Sequence, residues 1–376
     1  MMNLINGKII LPDANGNFYV DENKSVAFDE KILKVDENIS ADKIIDAEKN
    51  FVAPGFINIH IHGCNGFDAM DEDIAALDGM KKFLPSTGVT SFLPTTMTMS
   101  RDRIITALKN IRAKMNTSNG SKIIGAHLEG PFINENFNGA QDKSFVTCAD
   151  FNFVENFSDV IKIITLAPEK LDDFNFIKRC REKKIIVSIG HSGADYDTTI
   201  NAFNCGVSHV THLFNAQTGL HHRKPGIIGA ALTSNVTVEI ICDNVHVHTA
   251  VQKIVAKVKP RDEIILITDS VRACGLGDGE GELGGQKFFV HGNKATLADG
   301  TLVGSIAKMN DVVKNFSVNA EMKIPEVVEL VTKNPAKELG IYENVGSIEV
   351  GKSADFVIFD KNFNVKHTII DGEIVF

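Results

Sequence analysis

Tryptophan is absent from the 376-residue chain, and tyrosine occurs only three times. The 24 phenylalanines read as core filling and carry no functional message. The six cysteines form no CxxC pair, which fits free thiols in a reducing cytosol better than a disulfide framework. No apolar stretch approaches the roughly 20 residues that span a bilayer, so no membrane partner is expected. The opening "MMNLINGKII" has no cationic segment followed by a long apolar run, which makes a cytoplasmic protein the expectation. Basic residues cluster no further than "KRCREKK", and the formal net charge is −9. A nucleic-acid partner is therefore not expected either. There is no solenoid-type repeat and no low-complexity linker.

What remains is an ordinary globular composition, 43% hydrophobic and 23% charged. The first fifty residues alternate apolar and polar positions between turns, as in "LINGKIIL" and "SVAFDEKILKV". The last thirty do the same, in "SADFVIFDKNFNVKHTIIDGEIVF". Such alternation predicts antiparallel strands. Neither end is long enough for a core of its own, so residues 1–52 and 346–376 are expected to pair as one small β-sandwich domain. Between them, over 53–345, short β-branched runs recur, each followed by a helix-like segment. The runs are "FINIHIHG", "TSFLPTT", "KIIGAHLEG", "IKIITLAPE", "KIIVSIGHS", "SHVTHLFN", "TVEIICD" and "EIILITDS". Eight such alternations predict an α/β chain of the (β/α)8 TIM-barrel type, whose active site lies where the strands end.

The unusual polar residues fall at those ends. His60 and His62 close the first run, Glu129 the third, His191 the fifth, His212 the sixth and Asp269 the eighth. Residues i and i+2 of a strand share a face, so His60 and His62 aim the same way. A lone strand histidine is usually a packed core residue. Four imidazoles and two carboxylates on one rim are instead the donor set that Zn2+ or Fe2+ prefers. His127, two before Glu129, reads either as support for that set or as a buried structural histidine.

"PGFINIHIHG", "HLEGP", "GHS", "THLFNA" and "TDS", in that order, resemble the amidohydrolase superfamily, and within it the branch of N-acetylglucosamine-6-phosphate deacetylases. The resemblance spans essentially the whole chain. It implies that Glu129, His191 and His212 hold a principal divalent ion, that His60 and His62 join Glu129 around a second, and that Asp269 is the catalytic acid–base. Lys162 would not be the bridging carboxylated lysine found elsewhere in the superfamily. The resemblance further assigns Ala140, Asn215, Ala216, Arg223, His246, Leu302, Val303 and Gly304 to binding the amino-sugar phosphate, and implies a homodimer. Arg223 suits a phosphate through charge-assisted contacts.

Gln141 departs from the pattern, since the family commonly has a histidine there. The segment "VRACGLGDGEGELGG" reads as a mobile loop over the site. Three readings stay open beside the leading one: the galactosamine epimer as substrate, a cyclic amidase or nucleobase deaminase, and a catalytically dead scaffold.

Overall fold

The computed structural model describes residues 1–37, 39–115, 117 and 119–376. Eight strands run parallel in neighbouring pairs: Phe56–Ile61, Val89–Pro94, Ala126–Glu129, Ile161–Leu166, Ile186–Ile189, His209–Val210, Thr237–Ile241 and Ile264–Ile267. The second and third meet through a parallel bridge between Thr95 and His127. The eighth returns to the first, where Asp269 N–H donates to the His60 carbonyl and His62 N–H to that of Ser270. The result is a curled parallel sheet with helices in its crossovers, including Arg101–Lys114, Tyr196–Cys205 and Thr249–Val258.

Sequence chemistry explains these elements. The first strand is buried at every position, as a sheet covered on both faces requires. Ile57, Ile59, Ile163, Ile241, Ile265 and Ile267 share one buried cluster. Helix Tyr196–Cys205 starts where the Asp195 carboxylate accepts the Thr198 N–H, and it stops at Gly206 in a left-handed conformation.

Strands from both chain ends build two further sheets. One runs Ile32–Asp36, Ser25–Phe28, Met2–Ile5, Lys43–Asp46. The other runs Glu373–Ile374, Val365–Ile370, Phe356–Phe359, Phe51–Pro54, Lys8–Pro12, Phe18–Asp21. Leu4, Ile9, Val26, Phe28, Phe356 and Ile358 share a buried cluster, with the Phe28 and Phe356 rings edge to face at 5.1 Å. Phe51–Pro54 belongs to the second sheet, and the chain passes at Gly55 straight into the first parallel strand.

The segment expected as a mobile loop after the eighth parallel strand holds regular structure. Gly279–Leu283, Gln286–His291 and Lys294–Thr296 form an antiparallel sheet. Its two-residue turn, Gly284–Gly285, needs positive φ at both positions, 58° and 83°. Glycine takes positive φ without a Cβ penalty, which is why a glycine-rich stretch makes a hairpin here.

Lys122 ties the parallel sheet to the C-terminal strands. Its ammonium lies 2.9 Å from Asp355 and 2.5 Å from Asp371, and Asp355 is buried. Lys122→Met would leave that carboxylate buried without its cation, so we expect a stability loss of about 3 kcal/mol. Urea denaturation checks it. A lower midpoint at unchanged slope is expected, and a midpoint equal to the wild type would exclude the tether.

Candidate active site

Each residue singled out at a strand end reaches one common mouth. Glu129 is the last residue of the third strand, and His191, His212 and Asp269 each lie two residues beyond the fifth, sixth and eighth. Glu129 divides its two oxygens between two groups. Oε1 lies 3.0 Å from His191 Nε2 and 2.9 Å from His212 Nε2. Oε2 lies 3.1 Å from His62 Nε2 and 3.7 Å from His60 Nε2. Asp269 Oδ1 completes the second group, 3.2 Å from His62 Nε2 and 3.4 Å from His60 Nε2. All six residues are buried.

The far sides of the rings decide what can sit between them. His191 Nδ1 donates to the Phe137 carbonyl at 2.9 Å, and His62 Nδ1 faces the Thr95 carbonyl at 3.2 Å. His60 Nδ1 donates to the Glu239 carboxylate at 2.9 Å. In neutral rings those nitrogens carry the proton, so each Nε2 presents a lone pair. Lone pairs thus converge on carboxylate oxygens. His60 Nε2 is buried and has no hydrogen-bond partner. Acceptors facing acceptors at these distances repel unless cations stand between them. Three triads meet the description of a cation site, the atoms of each within 4.8 Å of one another: Glu129, His191 and His212; His60, His62 and Asp269; and, on the far side of the His60 ring, His60, His127 and Glu239, where the His60 Nδ1–H already fills the gap to Glu239. The donor chemistry fits a borderline divalent ion.

The local field favours positive charge at the same place, held by protons when no metal ion is bound. Burial works against charge on His62, but hydrogen bonds to Asp269 and Glu129 outweigh it and raise its pKa to about 10. Burial likewise opposes ionisation of Glu129, yet His60 and His191 hold it well below the usual carboxylate range. Asp269 is also lowered: its burial is outweighed by His60 and His62. His127 stands apart. Burial and the neighbouring His60 push it down to about 3, and its ring packs edge-on to His60 at 4.5 Å. It faces the Ile59 carbonyl and Thr165 Oγ1, so it supports the mouth as a neutral ring.

Backbone strain concentrates here. His191, His212, Phe214, Ala216 and Asp269 all have positive φ, at 48°, 29°, 81°, 49° and 47°. Non-glycine residues rarely take that region, and they do so where a fixed side-chain aim is worth the energy.

A cavity of about 370 Å³ opens above the group. Ala140, Asn215, Ala216, His246, Leu302 and Gly304 line it, with Gln141, Asn136 and Phe137. His246 is aimed by Asp243, whose Oδ2 is 2.7 Å from its Nδ1. Gln141 Nε2 lies 3.3 Å from His191, and its Oε1 accepts the Thr98 N–H. Two expected residues are not in the lining. Val303 is fully buried, and its N–H donates to Ala295. Arg223 is exposed, with its guanidinium 2.6 Å from His222. Lys162 donates to the Asp159 carbonyl, away from the mouth.

Glu239 and His209 went unread in the sequence. Glu239 is completely buried and touches His60, His209 and the His212 N–H. The available signal was a carboxylate inside "TVEIICD", a β-branched run in which acidic residues are depleted.

The sequence profile of the amidohydrolase family matches residues 51–375. An N-acetylglucosamine-6-phosphate deacetylase of Bacillus subtilis (strain 168) is 42% identical over 86% of this chain and 84% of its own length. An N-acetylgalactosamine-6-phosphate deacetylase of Escherichia coli O157:H7 is 31% identical over 88% of this chain and 89% of its own. Among solved structures, an N-acetylglucosamine-6-phosphate deacetylase from Pasteurella multocida is 30% identical and superposes with a TM-score of 0.94 over 99% of both chains. Profile, relatives and the lone-pair arrangement at the strand ends agree, and the chain belongs to the amidohydrolase family.

Proposed function

We propose that the protein hydrolyses the acetamide of N-acetyl-D-glucosamine 6-phosphate, giving D-glucosamine 6-phosphate and acetate in amino-sugar catabolism or recycling. One observation carries the reading: Glu129 spans two imidazole pairs beneath a cavity whose wall includes Asp269, Asn215, Ala216 and His246. The 42% identical glucosamine-type relative supports this epimer over the galactosamine one, whose relative is 31% identical.

In this reading Glu129, His191 and His212 hold one divalent ion, and His60 and His62 with Glu129 hold another, Zn2+ or Fe2+ being the natural candidates. When bound, such an ion supplies Lewis acidity toward the amide carbonyl and the attacking water. The chain's own residues do the rest. Asp269 stays ionised beside His60 and His62, so it can take the proton of the attacking water. As the C–N bond breaks it returns that proton to the leaving amine, and acetate departs. Asn215, the Ala140 and Ala216 backbone and the Leu302–Gly304 loop, with Val303 as its buried anchor, orient the sugar. His246, fixed by Asp243, contacts it from the opposite wall. The neutral Gln141 amide donates a hydrogen bond where the family commonly has histidine.

Arg223 and a phosphate fit together if the exposed loop at 221–223 serves a second subunit, so we infer a homodimer in which Arg223 anchors the partner's substrate. The architecture we infer is a closed (β/α)8 barrel over 53–345, with the two terminal sheets packed as a β-sandwich domain from 1–52 and 346–376. The protein's place would be the cytoplasm. Among the described residues no helix is long and apolar enough to cross a membrane.

Asp269→Asn keeps the shape of the side chain but cannot accept the proton, so kcat for acetate release should fall by at least about a thousandfold with the circular dichroism spectrum unchanged. Turnover within tenfold of wild type would remove Asp269 from proton transfer. Substrate comparison tests the rest. Acetate release should favour the 6-phosphate over unphosphorylated N-acetylglucosamine, and Arg223→Ala should raise KM by about tenfold to a hundredfold with kcat little changed. Indifference to the phosphate would instead favour a cyclic amidase or a nucleobase deaminase.

A further inference from the structure

Three of the four imidazoles at the mouth have their outer nitrogen anchored, and the anchors differ in charge. His62 and His191 face the neutral backbone carbonyls of Thr95 and Phe137. Only His60, among the described residues of this set, is backed by a carboxylate, Glu239. An anion behind a ligating imidazole raises the basicity of the opposite nitrogen and fixes the tautomer.

Glu239 is committed on every side. Oε2 accepts from His60 Nδ1 at 2.9 Å and from the His212 N–H at 3.1 Å. Oε1 lies 3.1 Å from His209 Nε2. His209 Nδ1 in turn lies 3.1 Å from Glu338 Oε1, and Thr237 Oγ1 donates to Glu338 Oε2 at 2.8 Å. An imidazole with a carboxylate on each nitrogen needs a proton on each, so His209 is an imidazolium. Burial opposes that charge, but Glu239 and Glu338 raise its pKa to about 9. The row, buried except for the partly exposed Glu338, is therefore Glu338, His209⁺, Glu239, His60, ending at the cation site of His60, His62 and Asp269.

We infer that Glu239 is a positioning residue that sets the affinity of the His60/His62 side for its divalent ion, with His209 moderating the negative field Glu239 projects. This rests on the proposed metal-dependent reading of the site. The Glu129, His191 and His212 side touches Glu239 only through the His212 N–H, whereas the His60 ring is bonded to it directly, so the larger effect falls on the His60 side. Two variants separate the electrostatic role from a packing role. Glu239→Gln keeps the side-chain shape and an oxygen for His60 and the His212 N–H, but removes the charge. His209→Gln keeps an N–H donor toward Glu239, but removes the cation that offsets it.

The experiment titrates Zn2+ alone into chelator-stripped full-length protein, wild type and both variants, by calorimetry, with metal content per chain measured after dialysis. Melting in chelator monitors the folding of each variant without metal. The wild type should take two ions per chain. In Glu239→Gln one ion should bind as before and the other about tenfold to a hundredfold more weakly. In His209→Gln the second ion should bind as tightly as in the wild type or more so. Two ions bound to Glu239→Gln with unchanged affinities would overturn the inference, and so would equal weakening in both variants, which is what lost packing produces. A wild type that takes one ion whose affinity ignores Glu239→Gln would overturn it too. A wild type that takes none would overturn the metal-dependent reading underneath. Should Glu239→Gln fail to fold, Glu239→Asp replaces it. That variant keeps the charge and draws it back from His60, and weakening confined to one ion is again required.

Discussion

The mouth of this protein is organised around a repulsion. Imidazole lone pairs and carboxylate oxygens are packed against one another inside a low-dielectric interior, with Glu129 as the shared member. Left to themselves such groups would separate or take up protons, since an unpaired buried charge is among the most expensive things a fold can contain. They stay because their outer atoms are held. His191 is pinned by the Phe137 carbonyl, His62 faces that of Thr95, and His60 is pinned by Glu239. The strained backbone at His191, His212 and Asp269 belongs to the same account, because strain of this kind persists only where surrounding structure over-determines it. The surrounding sheet supplies that rigidity, and a cation bound there would relieve the repulsion it maintains.

The wall above the ligand group has a different origin. It comes from connections rather than strands: the stretch after the third strand with Phe137, Ala140 and Gln141, the stretch after the sixth with Asn215 and Ala216, and the hairpin inserted after the eighth. Gln286 on that hairpin donates to the Ala140 carbonyl at 2.6 Å, so two sides of the mouth are tied together. The ligand-type residues are thus anchored on the sheet while the shape of the cavity is left to loops, a division common to parallel-sheet enzymes.

Much of this is legible in the residues themselves. Eight β-branched runs mark the eight parallel strands, because a strand buried on both faces has little choice but isoleucine, valine and leucine. His60, His62, Glu129, His191, His212 and Asp269 are legible because each breaks such a run at its end. Glu239 is not, because it sits mid-run, where one acidic residue looks like the solvent side of an edge strand. Only the three-dimensional pairing with His209 and His60 explains it. Arg223 marks the opposite limit: its charge is obvious, but the fold leaves it exposed beside His222 rather than in the cavity wall. The hairpin at 279–291 hid behind its glycines, which suit a disordered loop and a tight turn equally well.

The pairing of the two chain ends also has a consequence in time. The Phe18 N–H donates to the Glu329 carboxylate, 311 positions further along the chain. Phe51–Pro54 pairs with Phe356–Phe359, which is made long after it. At a synthesis rate of about 5–20 residues per second, the apolar strands made first wait on the order of half a minute for their partners. During that interval one edge of Phe51–Pro54 is unpaired, and Ile9, Val52 and their neighbours lack the core they later share with Phe356 and Ile358, the kind of surface that invites association with other nascent chains. The parallel sheet lies between and can assemble sooner, so a ribosome carrying this protein holds a nearly finished catalytic unit whose first fifty residues are still waiting to be claimed.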